Sequence, residues 1–260
     1  MFTWNINPEL IAIGPFHIRW YGFLFSLGFL ASFSVMAWVF WKEKKSEELL
    51  NKLFLYVFIA VLVGARLGHC LFYKPEYYLT HPLEILMVWK GGLASHGAAA
   101  GIIIAILAYS RATAGMNFSW VADRVSLVVP LTAFFVRLGN FANSEILGLP
   151  TDVPWAVVFS MADQVPRHPV QLYEAITYLL IFIIMIILYH GQTGAISGRL
   201  TGSMLTMLFS MRFILEFFKA DQSTLDPSMP LTMGQFLSVP LIAFGIFLLA
   251  RKQDASSQSH

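Results

Sequence analysis

The chain is short of charge, has a single cysteine and lacks a basic start, and each shortage closes off a class of protein. Only 12% of its 260 residues are charged and 57% are hydrophobic, whereas a soluble domain carries roughly 25% charged residues. So little charge cannot cover a water-facing surface, which puts the chain in lipid. The lone Cys70 forbids an internal disulfide, and no Cys/His group has metal-ligand spacing, so neither a redox staple nor a metal or other cofactor is expected. A net charge of +2 is too small and too scattered to hold a nucleic acid. Met1 to Pro15 carry Glu9 but no Lys or Arg, so a cleavable signal peptide is not expected and the first apolar span should be retained. The apolar runs also lack the period-2 alternation of barrel strands, which excludes a membrane β-barrel.

Seven apolar segments are present: Phe16–Trp41, Leu50–Tyr73, Ala94–Tyr109, Trp120–Leu138, Val170–Tyr189, Leu200–Phe218 and Met233–Ala250. Each comes near the roughly 20 residues a helix needs to cross a bilayer. The expected fold is an all-α polytopic membrane protein of about seven transmembrane helices, one helical domain over residues 1–252. A polar tail, Gln253–His260, is expected to be disordered.

Basic residues in short loops orient the chain. With the amino terminus outside, the cytoplasmic side holds Lys42, Lys44, Lys45, Lys52, Arg111, Arg124, Arg199, Arg251 and Lys252, against Lys74, Lys90, Arg167 and Lys219 outside. That asymmetry predicts amino terminus out and carboxyl terminus in. The outer face then receives Lys74–Leu93, Gly139–Pro169 and Lys219–Thr232. Pro82–Lys90 reads as a short amphipathic helix at the interface, within an interfacial segment over 74–93. Pro150, Pro154, Pro166 and Pro169 punctuate a β-like run, Trp155–Phe159, so residues 139–169 are expected to form a small ordered extracytoplasmic cap.

Charges inside apolar spans are expensive, at least ~2.5–3.5 kcal/mol at mid-bilayer, and mark functional sites. Arg212 and Glu216 stand four apart in the sixth span and so can touch, in the order that is less favourable to the helix dipole. That order favours a substrate site over a stabilising pair. Where the fourth span ends, Arg137, Asn140 and Ser144 share a helical face as long as the helix lasts, Gly139 permits close backbone approach, and Glu145 adds a carboxylate. A guanidinium there can bind phosphate through paired hydrogen bonds. Asn140 is alternatively a helix cap, and Glu145 a solvated loop charge. His96 opens the third span and can take a proton near neutral pH, or serve as a hydrogen-bonded packing residue. Arg66, His69 and the run Arg167-His168-Pro169 are weaker candidates; Cys70 reads as an apolar filler, and Tyr21 as part of an interfacial aromatic belt.

The run Arg137-Leu138-Gly139-Asn140-Phe141-Ala142-Asn143-Ser144-Glu145-Ile146-Leu147-Gly148 resembles the signature of the prolipoprotein diacylglyceryl transferase family of bacterial inner-membrane enzymes. Trp20-Tyr21-Gly22, Gly64-Ala65-Arg66-Leu67-Gly68, Ser95-His96-Gly97, Arg167 to Glu174, Arg212…Glu216-Phe217-Phe218 and Met233-Gly234-Gln235 extend the resemblance over essentially the whole chain. Three positions depart from the pattern: Val136 and Ser144 stand where the family has Gly, and Leu208 where a Tyr is common.

The resemblance implies transfer of the diacylglyceryl group of phosphatidylglycerol to the lipobox cysteine of a prolipoprotein, with release of glycerol phosphate and no cofactor. It also implies that Tyr21, His96, Arg137, Asn140, Glu145, Gly148, Arg212 and Glu216 do the work. In that scheme His96 is a base for the thiol. Arg137 and Arg212 stabilise the departing phosphate, and Glu145, Glu216 and Gly148 line the headgroup site. Two rivals remain from the residues alone: a transporter of an anionic solute or lipid, whose charges would lie nearer the midplane, and a noncatalytic lipid binder, which would not need His96.

Overall fold

The computed structural model describes residues 2–14, 16–87, 92, 94–191, 197–220 and 231–251. The expected tail over 253–260 and the end of the expected interfacial helix, 88–90, lie outside these residues. Among these residues seven long helices follow the apolar segments closely: α1 Trp20–Lys42, α2 Glu47–Phe72, α4 Ser95–Ala112, α5 Phe118–Ala142, α6 Val170–Gly191, α7 Arg199–Leu215 and α8 Met233–Ala250. A short helix, α3 Pro75–Thr80, and a 3-10 turn, Pro82–Leu86, follow α2. Over its described residues, the segment read as an amphipathic helix is a tighter 3-10 turn that ends at Leu86, before the nonhelical Met87.

Among the described residues six helices are long and apolar enough to span a membrane, and α4 is not among them. Its sequence, SHGAAAGIIIAILAYSRA, exchanges bulk apolar residues for Gly and Ala. The exchange permits close packing. A Cβ on Gly68 would lie 2.8 Å from the Gly97 Cα, and one on Gly97 would strike the Gly64 carbonyl oxygen, so α2 and α4 meet backbone to backbone in the manner of small-residue membrane interfaces.

Helix α6 shows why the chain is a membrane protein. Ile176, Leu180, Ile183, Ile184 and Ile187 are exposed along one face, while Gln171, Glu174 and Tyr178 are buried on the opposite face. A water-soluble helix has the reverse arrangement; this one presents hydrocarbon outward and hides its polar groups.

The chain divides into two compact units, Met36–Ala122 and Met1–Val35 with Asp123–His260. In the first, Arg66 is buried at 2% exposure and donates to the carbonyl oxygens of Ile85 (3.0 Å), Glu84 (2.6 Å) and Gly92 (3.4 Å) while facing the Tyr78 ring. It ties the segment after α2 in place. The Lys52 ammonium and the Tyr109 hydroxyl link the opposite ends of α2 and α4 through the carbonyls of Ala112 and Leu49.

In the second unit, three strands form a sheet in the order β1 (Phe2–Trp4), β4 (Val157–Phe159), β5 (Pro166–Arg167). Strands β1 and β4 are parallel, with Phe2 opposite Val157, and β4 and β5 are antiparallel. The β-like run is thus confirmed over Val157–Phe159. Its partner β1 was not anticipated, since nothing local in Phe2–Trp4 points to a strand so distant in sequence. Trp4 packs on Phe141 at 4.4 Å and Phe141 on Phe159 at 5.6 Å, which seats the sheet on the last turn of α5. Phe16–Arg19, expected as the start of the first helix, is instead strand β3, paired antiparallel with β2 (Glu9–Ile13). Its β-branched Ile18 faces Ile11 across the pair, and helix begins only at Trp20.

Candidate active site

The site assembles in the second unit from the carboxyl end of α5, the amino end of α6 and the residues after α7. One turn of α5 places the Arg137 Nη1 3.0 Å from the Asn140 Oδ1, to which it donates. The Asn140 Nδ2 in turn donates to the Glu145 Oε2 at 3.0 Å, and the Asn143 Nδ2 to its Oε1 at 3.1 Å. The cation, amide and carboxylate read from the signature therefore form one hydrogen-bonded chain. Asn140 is buried and bridges its two neighbours, while Glu145 is tethered, not a free loop charge.

Glu145 is held by backbone that only this segment supplies. Helix α5 ends at Ala142, and Ser144 (φ 55°) and Ile146 (φ 57°) flank Glu145 in the left-handed region. A Gly at the position of Ser144, as in the family pattern, adopts that conformation without steric cost. Ser144 consequently leaves the helical face it was expected to share with Arg137. Gln171 on α6 fixes the Glu145 carbonyl, its Nε2 donating at 2.6 Å.

Gly139 makes the close approach expected of it: a Cβ there would sit 2.9 Å from Tyr21 Cδ2. Tyr21, in the first turn of α1, thus lies against α5 within electrostatic reach of Arg137 and Glu145. Gly148 sits where a Cβ would strike the His168 carbonyl oxygen, and its own carbonyl accepts from the Arg167 Nη1 at 3.0 Å. Arg167 is bound on its other side to Asp163, whose carboxyl it holds below the usual value by donating hydrogen bonds to it. Arg167 and Gly148 thereby brace the loop over 148–150 between β5 and the residues after α7.

Two residues not singled out individually complete the cluster. Glu174 on α6 is fully buried, and its Oε2 lies 2.9 Å from the Arg137 Nε. Its Oε1 lies 2.9 Å from the Lys219 Nζ. Tyr178, one turn further along α6, lies within electrostatic reach of Arg137. Glu174 could have been found in the sequence from its spacing with Gln171 and Tyr178, which puts three polar groups on one face of an otherwise aliphatic helix.

Arg212 and Glu216 are not paired as expected. A 3-10 turn over Glu216–Phe218 follows α7 and brings the Lys219 Nζ to 3.0 Å from the Glu216 Oε2. The Glu216 Oε1 accepts from the Thr232 hydroxyl at 3.3 Å beside Gly234, at the start of α8, where the helix dipole favours a carboxylate. Arg212 acts on Glu174 through its charge. His96 belongs to the first unit, as the second residue of α4, with its ring exposed and against Phe72 (5.3 Å) and Tyr73 (5.8 Å). Among the described residues no group of three His, Cys, Asp or Glu side chains is gathered to hold a metal.

A polytopic helical protein with fixed guanidinium, amide and carboxylate groups among apolar helices is a membrane protein whose charges can hold an anionic group at the lipid. The chain belongs to the prolipoprotein diacylglyceryl transferase family, which it matches over residues 8–251. Relatives named phosphatidylglycerol–prolipoprotein diacylglyceryl transferase include one from Chloroherpeton thalassium, 49% identical over 95% of this chain and 92% of its own length. Others come from Tolumonas auensis, 46% identical over 98% of this chain and 100% of its own length, and Bacteroides fragilis, 43% identical over 95% and 94%. Family membership makes this chain a transferase and decides against the transporter and the noncatalytic binder.

Proposed function

We propose that the charge cluster around Arg137 is where this enzyme transfers the diacylglyceryl group of phosphatidylglycerol to the lipobox cysteine thiol of a prolipoprotein. The sulfur attacks the glyceryl carbon that carries the phosphate oxygen, the carbon–oxygen bond breaks with its electron pair leaving on the phosphate, and a thioether and glycerol phosphate result. The thiol, with an ordinary pKa of about 8.5, gives its proton to a base, for which His96 is the candidate. The phosphate gains one negative charge in this step. Arg137 and Arg212 stabilise that charge, and Asn140 and Glu145 keep Arg137 aimed. Tyr21, Glu216 and Gly148 shape the headgroup site, Glu145 and Glu216 offering acceptors to its hydroxyls.

The same reading includes the topology. Seven helices cross the bacterial inner membrane with the amino terminus outside, residues 139–169 form an extracytoplasmic cap, residues 74–93 lie at the interface, and residues 1–252 act as one domain. A headgroup and an exported cysteine meet on that side.

The observation that carries the proposal is the Arg137 guanidinium, held by Glu174 at 2.9 Å and Asn140 at 3.0 Å in a chain whose helices otherwise expose hydrocarbon. Purified protein given phosphatidylglycerol and a lipobox peptide should yield a peptide heavier by one diacylglyceryl group in a mass spectrum. Absence of that gain, under conditions where a relative works, sinks the reading. Arg137→Ala should lower turnover by about 10²–10³-fold or more in a protein that still accumulates folded in membranes, and Arg137→Lys should not restore it, since an ammonium lacks the planar fork.

A further inference from the structure

Glu174 touches none of the exposed parts of the site, yet it is the most buried charge in it. Its side chain is 0% exposed, between Arg137 (12%) and Lys219 (9%), each contact being 2.9 Å. We infer that Glu174 is a positioning residue for the transfer, locking the Arg137 guanidinium in the orientation that meets the phosphate as its charge develops.

A carboxylate buried this deeply is costly unless its charge is matched. It is matched twice over, by Lys219 and by Arg137, with Arg212 adding a third positive charge. Lys219 does not depend on Glu174 alone, since it also pairs with Glu216 at 3.0 Å. Arg137 has no second carboxylate within salt-bridge distance among the described residues; its other short polar contact is Asn140, with Tyr178 within electrostatic reach. The ion pair from Nε to Glu174 holds the root of the guanidinium, and the hydrogen bond to Asn140 holds Nη1. A guanidinium fixed on these sides cannot swing. Such fixation matters little for holding a phosphodiester of one negative charge, and much for stabilising the phosphate that leaves with two.

This inference rests on the role proposed for Arg137. Glu174→Gln keeps the size, removes the charge and turns one of the two acceptor oxygens into a donor. Its kcat should fall about 10- to 100-fold, while KM for phosphatidylglycerol stays within about threefold. The double variant Glu174→Gln/Lys219→Met also removes the cation that would be left uncompensated. It should recover the melting temperature lost in the single variant but not the lost kcat. Should Glu174→Gln fail to fold, Glu174→Asp keeps the charge and shortens its reach, and kcat should fall with the protein intact. Wild-type kcat in Glu174→Gln or Glu174→Asp, or full recovery of kcat in the double variant, overturns the inference and leaves Glu174 as a mere counter-ion to Lys219. Arg137→Ala measured alongside separates the two levels. An active Arg137→Ala sinks the reading of the site, whereas an inactive Arg137→Ala beside a fully active Glu174→Gln sinks only this inference.

Discussion

Glu145 reaches Asn140 because the two residues beside it accept left-handed backbone. Ser144 and Ile146 adopt φ of 55° and 57°. Such conformations cost a non-Gly residue on the order of 1–2 kcal/mol, and a β-branched residue adopts them least readily. The strain is stored in the stretch that holds the carboxylate, as is common at functional sites. Ser144 buries a hydroxyl without a hydrogen-bond partner among the described residues, so it gains nothing visible there in return. Ser144→Gly should therefore raise the melting temperature in detergent by the equivalent of about 0.5–1 kcal/mol, and an unchanged or lower value would show that the serine has a compensating contact. The departure of Ser144 from the family pattern could be read in the sequence, but not its conformational cost, because the end of a helix is poorly marked by periodicity. The chain from Arg137 to Asn140 was legible for the opposite reason: residues three apart on a helix are neighbours whatever the rest of the fold does.

At the scale of elements, polar contacts decide how α7 begins. Asp123 on α5 is 2% exposed and accepts from the Gly198 N (2.7 Å), the Thr201 N (2.9 Å) and the Thr201 hydroxyl (2.7 Å). One carboxylate from another helix thus caps the amino end of α7, where four backbone N–H groups lack intrahelical partners. Asp123→Ala should destabilise the protein by about 1–3 kcal/mol, read as a lower melting temperature, with Asp123→Asn falling between it and the wild type. A melting temperature unchanged in Asp123→Ala would place the cap elsewhere. Helix positions were legible because continuous apolar runs have few alternatives in lipid. Strand β1 was not, since its pairing partner, Val157–Phe159, is so distant in sequence. Nor was the Glu216–Lys219 pair, because a 3-10 turn changes which side chains align and a heptad-like spacing does not reveal where α-helix gives way to it.

At the scale of the whole molecule, the proposed orientation makes a direct forecast. Cys70 is fully buried, so the native chain should react little with a membrane-impermeant thiol reagent. Ala162→Cys, in the segment between β4 and β5, should be labelled from the periplasmic side of intact cells. A cysteine at Ser257 should be labelled only after the inner membrane is opened. Labelling of the Ser257 variant in intact cells would invert the topology and move the site to the cytoplasmic side. The positive-residue asymmetry that predicts this outcome was visible from the start, whereas α4 shows a limit of hydropathy. Expected as an ordinary span, it gives up apolar bulk to let its backbone meet α2 at Gly64, Gly68 and Gly97, and that use of glycine is invisible without the partner helix.

The sequence by itself determined the solvent this protein lives in, the approximate course of its long helices, and the short-range part of its site, because each depends on composition or on spacing within one element. Only the tertiary structure decided which charges meet. Arg137 can satisfy its guanidinium locally through Asn140, but the buried carboxylate that fixes it comes from α6, and the cation that balances that carboxylate comes from beyond α7. In a low-dielectric interior a charge is stable only beside its opposite, and which opposite lies near is a property of helix packing, not of sequence separation.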